Sequence, residues 1–190
     1  MIHPIKLNGI WTEGYALDNH VLSSTYIGED QFGHVRFKTQ RTKIGELIYK
    51  MKYNGHQDTS DDILNLASDF LDKWLRNKKI NVVLPVPPTT SRDIQPVFVV
   101  AAAIAARYNL PYQERILTNT NREPSKDMKD KEKNLIGAIH ISGKAKFHCN
   151  VLLIDDLYST GSTATECVKT LKQDRLVDDV YFLAITKTKI

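Results

Sequence analysis

Cysteine is scarce in this chain. Cys149 and Cys167 are the only two in 190 residues, and they form no CxxC pairing. That leaves no cysteine zinc site and points to a reducing compartment without disulfides. Among the histidines, His3, His20 and His34 show no metal-ligand spacing and read as ordinary surface or packed side chains. No internal repeat or low-complexity segment is present, and no window approaches the apolar run that a membrane span needs. The opening Met1-Ile2-His3-Pro4-Ile5-Lys6-Leu7 has no apolar core of a secretory leader. The expectation is a soluble, cytoplasmic protein with no membrane partner. Charge of one sign does not dominate either: 26 Lys and Arg against 22 Asp and Glu leave +4. Such a mild excess suits a polyanionic small substrate as well as it suits nucleic acid.

The composition is that of a globular protein, 42% hydrophobic and 25% charged, and the length suits one domain with one sizeable core. The expected division is a single domain over 1–190, with a β-rich N-terminal extension at 1–42 and a core at 43–190. In the extension, 14–17, 20–27 and 34–37 are short strand candidates, separated by turns at Asp18-Asn19 and at 28–31. Trp11 and Tyr15 fit a small satellite core there. Residues 43–53 place Ile44, Leu47, Ile48 and Met51 on one helical face, and Asn54-Gly55 stops the helix. Lys50 and Lys52 are expected on its solvated face. Thr59 or Ser60 caps a second amphipathic helix, which carries Ile63, Leu64, Ala67, Phe70, Leu71 and Trp74 and ends near Lys78-Lys79. A buried strand follows at 80–86, then an apolar helix at 96–108 with Pro96 in its first turn. Strands are expected at 110–117, 134–141 and 179–186.

The most informative stretch is Val151 to Thr163. Val151-Leu152-Leu153-Ile154 suits a strand buried on both faces of a parallel sheet. Asp155 and Asp156 sit where such a strand ends. Ser159-Thr160-Gly161-Ser162-Thr163 then forms a short polar loop before a helical pattern at Ala164, Cys167, Val168 and Leu171. In strand–loop–helix units of this kind ligands bind at the strand's carboxyl end. Gly161 permits close backbone approach. Loop N–H groups, a helix N-terminus and several hydroxyls make an anion cradle. Two carboxylates beside such a cradle match a ligand that carries both hydroxyls and a phosphate, as a ribose 5′-phosphate does.

This stretch resembles the PRPP-binding motif of the type I phosphoribosyltransferases: four apolar residues, two acids, two variable positions, then Ser/Thr-Thr-Gly-x-Ser/Thr. The resemblance implies an α/β fold with a parallel sheet flanked by helices, a small β-rich N-terminal part and a flexible hood loop. It implies that Asp155 and Asp156 hold the ribose hydroxyls and that Ser159, Thr160, Gly161, Ser162 and Thr163 hold the 5′-phosphate. It also implies Mg²⁺, held by substrate oxygens with help from Asp155 and Asp156, and a small nitrogenous acceptor for the phosphoribosyl group.

Two further segments gain meaning from this resemblance. Pro87-Pro88-Thr89-Thr90-Ser91-Arg92 follows the strand at 80–86. On local sequence alone a plain connecting turn and an anion loop fit it equally well. The family places its pyrophosphate loop here, which implies that role for Thr89, Thr90, Ser91 and Arg92. Residues 118–133 hold Arg122, Lys126, Lys129, Lys131 and Lys133 with almost nothing to bury, the pattern of a solvated loop. The family's hood loop lies in this region, so Lys126 is implied as a catalytic cation along with Arg92, Asp155 and Asp156.

Lys52 to Gly55 (Lys-Tyr-x-Gly), Leu84-Pro85-Val86-Pro87 and Asn134 to Ala138 resemble the ComF-like branch, so the likeness spans residues ~43–186. The four-cysteine zinc knuckle common in that branch is missing. So is its Arg-Gly-Phe-Asn-Gln segment, where this chain has Asp93-Ile94-Gln95-Pro96. Ser159 stands where hypoxanthine-guanine transferases carry an Asp, which argues against their specificity. The implied activity is transfer of a phosphoribosyl group from PRPP to a nitrogen nucleophile with release of pyrophosphate. The competing expectation is a non-catalytic PRPP- or nucleotide-sensing protein associated with nucleic acid. Relatives are commonly homodimers.

Overall fold

The computed structural model describes residues 1–55, 58–90, 92–120 and 137–189. A five-stranded sheet runs through its centre. Its strands are β1 (Ile5–Lys6), β2 (Glu13–Asn19), β5 (Ile80–Pro85), β8 (Cys149–Tyr158) and β9 (Val177–Lys187). Their spatial order is β1-β2-β9-β8-β5. The pairs β2–β9, β9–β8 and β8–β5 are parallel, and β1 pairs antiparallel at the edge.

Four described helices cover both faces. One layer holds α1 (Lys43–Asn54), α2 (Thr59–Leu75) and α3 (Pro96–Arg107); the other holds α4 (Ser162–Leu171). The period-two alternation of strand side chains explains the division. Leu152 and Ile154 of β8 join Leu183 and Ile185 of β9 in the core beneath α1, α2 and α3. Val151 and Leu153 join Phe182 and Ala184 in the core beneath α4. Because both faces are covered, β8 reads as an unbroken apolar run.

Several elements depart from the sequence expectations. Within residues 1–42, β1 and β2 belong to the central sheet. Asp18-Asn19 is no turn: β2 continues through both, and Asp18 is buried. Trp11 and Tyr15 face opposite layers, Trp11 against Phe182 at 4.7 Å and Tyr15 against Phe70 and Trp74 at 5.2 and 5.5 Å. Of the strands within 1–42, β3 (Val21–Glu29) and β4 (Val35–Arg41) stand apart, as an antiparallel hairpin.

Asp58 rather than Thr59 or Ser60 occupies the cap position of α2, which ends at Leu75. The strand expected at 110–117 reduces to a bridge from Tyr112 to Val83. Glu114 and Arg115, both charged, lie in a turn. Leu117–Asn119 (β6) instead pairs with Ile139–Ile141 (β7) in a small separate sheet, leaving residues 137 and 138 as a turn. Of the segment expected as a strand at 134–141, residues 134–136 lie outside the described residues. Gly55 ends α1 with φ 73°, as Asn54-Gly55 suggests. No described helix is long and apolar enough to cross a membrane.

Candidate functional site

The topology itself marks a crevice. From β8 the chain passes through α4 to β9 on one side. From β5 it passes through α3 to Tyr112, which bridges the other side of β5. The winding direction therefore reverses between β5 and β8, and a doubly wound sheet binds ligands at the carboxyl ends of the strands flanking such a switch. The loops leaving β5 and β8 here are 86–95 and 159–161. Val86 N–H donates to the Ile154 carbonyl at 2.7 Å, so the first loop departs directly beside Asp155.

Unlike the sequence expectation, β8 does not end before the acids but runs through them to Tyr158. Alternation therefore sends the two carboxylates to different layers. Asp155 acts electrostatically on Cys167 of α4, whereas Asp156 Oδ2 lies 2.6 Å from Lys52 Nζ of α1. The Asp156 N–H also donates to Asp155 Oδ1 at 2.8 Å. Burial, with the neighbouring Asp156 charge adding to it, pushes the Asp155 carboxyl up to about 8; that N–H and Lys52 oppose the shift. Acids displaced by burial and a like charge cluster at functional sites.

The polar loop forms as the sequence suggests. Gly161 has φ 81° at the cap position of α4. A Cβ there would meet the Tyr158 ring at 2.7 to 3.0 Å, so both sterics and backbone demand glycine. The cap residue Gly161 has no side chain to offer, Thr160 Oγ1 accepts from the Ser162 N–H at only 3.4 Å, and the first turn holds no acid, which leaves the rest of the helix start receptive to an anion. Thr160 Oγ1 and Ser162 Oγ lie 2.7 Å apart. Ser159 and Thr160 are exposed, while Gly161, Ser162 and Thr163 are half-buried.

In the loop after β5, Thr89, Thr90 and Arg92 are exposed. Gln95 Nε2 holds the Thr90 carbonyl at 2.8 Å. Ser91 and Lys126 lie outside the described residues, as do Arg122, Lys129, Lys131 and Lys133. The structure thus brings Asp155, Asp156, the 159–163 loop and the described residues 87–90 and 92 to one end of the sheet.

Lys52 is a correction. Expected on a solvated helix face, its side chain is only 12% exposed and pairs with Asp156, itself 19% exposed. Lys50, two residues earlier, is exposed as expected. The helix pattern alone could not separate them, because the acid that receives Lys52 is distant in sequence. The docking of α1 is what places it. A Cβ on Gly45 would lie 2.1 Å from the His20 carbonyl oxygen, so α1 starts hard against that corner. At its other end Gly55 lies near Ile94 of the β5 loop, within 3.7 Å for a Cβ there.

His20 is also closer to the site than an ordinary surface histidine. Its Nδ1 lies 3.1 Å from Thr186 Oγ1, and Thr186 donates to the Asp156 carbonyl at 3.0 Å. Burial first, then the Lys52 and Arg41 cations, lowers the His20 pKa; Asp156 and Glu46 pull the other way. It therefore stands neutral at pH 7.

A resident protein-held metal does not fit. Asp155 and Asp156 diverge to opposite layers, and no group of three or more His, Cys, Asp or Glu among the described residues could hold one. Together these features define a class of site: a switch-point crevice in a doubly wound sheet, lined by an acid pair and hydroxyl-bearing loops.

No family model and no curated protein matches the chain. Among solved structures it is similar to adenine phosphoribosyltransferase from Saccharomyces cerevisiae (14% identity, 86% of this chain and 84% of that one, TM-score 0.46). It is similar to the adenine phosphoribosyltransferase of Leishmania tarentolae (12% identity, 97% and 94%, TM-score 0.47). A hypoxanthine phosphoribosyltransferase from Staphylococcus aureus is a further neighbour (15% identity, 66% and 62%, TM-score 0.44). At these identities and TM-scores the likeness carries no argument, and the architecture stands on the chain's own topology.

Proposed function

We propose that the chain binds PRPP and transfers its phosphoribosyl group to a nitrogen nucleophile, releasing pyrophosphate. The observation that carries this reading is the convergence, at one switch point, of an acid pair, a glycine-hinged hydroxyl loop and a second hydroxyl-rich loop with an arginine. In this reading Ser159, Thr160, Gly161, Ser162 and Thr163 anchor the 5′-phosphate, so remote binding energy positions the anomeric carbon. Asp155 and Asp156 accept from the ribose hydroxyls, and the Asp156 carboxylate, which pairs with Lys52 in the free chain, stabilises the positive charge that develops as the anomeric carbon–diphosphate bond breaks. The acceptor nitrogen then forms the new bond to that carbon and gives up its proton. Thr89, Thr90, Ser91 and Arg92 receive the departing pyrophosphate, with Lys126 closing over it and excluding water. Mg²⁺ would enter with PRPP on the ligand's own oxygens, because this ion prefers phosphates and water to a protein cage.

Pyrophosphate release from PRPP, measured across a panel of nitrogenous acceptors, tests the reading. The double variant Asp155→Asn/Asp156→Asn should lose all acceptor-dependent release while staying folded. Full turnover in that variant would refute the assignment.

A further inference from the structure

The Lys52–Asp156 ion pair has a consequence for ligand binding. In this chain Asp156 is not a free acceptor, since one carboxylate oxygen is taken by an ammonium at 2.6 Å. A ribose whose hydroxyls approach Asp156 must share or displace that contact. Among the described residues no other cation pairs with either acid of the site. His20 contacts Thr186 rather than the Asp156 carboxylate and does not compete. Lys52 therefore governs the charge of the crevice floor.

We propose that Lys52 is an exchangeable counter-ion: it holds Asp156 in the free chain and passes to the diphosphate when PRPP binds. The inference rests on the PRPP reading above and assigns a residue that reading does not use.

Three features support the exchange. Lys52 lies in the last turn of α1, where a cation is favoured by the helix dipole whichever anion it faces. Gly55, three residues on, abuts Ile94 of the β5 loop, so the same helix end borders both the acid and the proposed diphosphate loop. The ammonium sits at the tip of a flexible four-carbon stem as a point charge with three rotatable donors. It can change partner without any movement of the helix. The charge balance also favours the move. A diphosphate brings more negative charge than one carboxylate, and the ribose hydroxyls supply replacement donors for the Asp156 oxygen that Lys52 leaves.

The test compares two ligands that differ only in the diphosphate. PRPP and ribose 5-phosphate are titrated calorimetrically, with Mg²⁺, into the wild-type chain, Lys52→Met and Lys52→Arg. Exchange predicts that Lys52→Met weakens PRPP binding about tenfold or more, while ribose 5-phosphate binds as before or more tightly. Lys52→Arg should fall between wild type and Met for PRPP. Parallel weakening of both ligands would overturn the proposal, since it would make Lys52 a merely structural prop. Parallel tightening would overturn it too, as a lock that never reaches the diphosphate, and so would no change for either ligand. If Lys52→Met does not fold, Lys52→Gln, which keeps a donor for Asp156 without the charge, takes its place; PRPP must again lose selectively. Wild-type chain that binds neither ligand refutes the PRPP reading and this inference with it. Wild-type binding combined with any overturning pattern refutes the inference alone.

Discussion

Asp155 offers a prediction in which stability and function move in opposite directions. Its carboxyl is displaced from 3.8 to about 8, chiefly by burial. Between those values the folded chain holds a proton that the unfolded chain has released, so stability falls as pH rises through the window. Fully expressed, a displacement of about four pH units is worth roughly 6 kcal/mol. Asp155 keeps partial exposure, so we take about half, ~3 kcal/mol, as the cost of ionising it at pH 8. Asp155→Asn keeps the acceptor for the Asp156 N–H and removes the titration. The variant should match wild type near pH 4 and gain progressively towards pH 8, ending about 3 kcal/mol more stable, or roughly 6–12 °C in Tm for a chain of this size. Urea unfolding of both proteins across that pH range measures the difference curve, which cancels every other titrating group. A flat difference, or one that grows towards acid, would refute the reasoning. A site acid held at such a cost is expected to be retained for binding, so the stabilised variant should also fail to bind PRPP.

Gly161→Ala should destabilise the chain by about 1–2 kcal/mol from the left-handed backbone alone, with the Tyr158 ring adding to it. Calorimetry should then show PRPP affinity falling more steeply than stability does. Gly45→Ala, which drives a methyl into the His20 carbonyl, should cost about 2 kcal/mol or more by displacing α1; chemical denaturation checks it, and PRPP binding should weaken because Lys52 moves with the helix. Thr186→Val removes the hydroxyl bonded to the Asp156 carbonyl and near His20, and should cost about 1–2 kcal/mol in urea unfolding.

The part of the site that was legible from sequence is local in sequence. Val151 to Thr163 carries a buried strand, its acids and its loop in one run, because parallel strands covered on both faces must be continuously apolar and the helix start that follows must be polar. Asp155 and Asp156, adjacent in sequence, do not reveal that alternation points them to opposite layers once β8 extends to Tyr158. Lys52 was not legible at all by periodicity. On α1 it resembles Lys50, and only the docking of the helix end against β8 separates the two. The Lys-Tyr-x-Gly pattern at Lys52 to Gly55 was the one available signal. Residues 110–117 misled for another reason: a stretch bounded by Leu110 and Leu117 reads as one strand. Its charged middle splits it between a single bridge to β5 and a separate two-stranded sheet. The N-terminal strands misled because β2 reaches its sheet partner, β9, only through a pairing between opposite ends of the chain.

The most direct test of the central claim is calorimetric titration of the purified chain with PRPP, with and without Mg²⁺, alongside folded Asp155→Asn. The account predicts saturable, Mg²⁺-dependent binding to the wild-type chain that is lost in the variant. Absence of binding to the wild-type chain, or equal binding to Asp155→Asn, would contradict it.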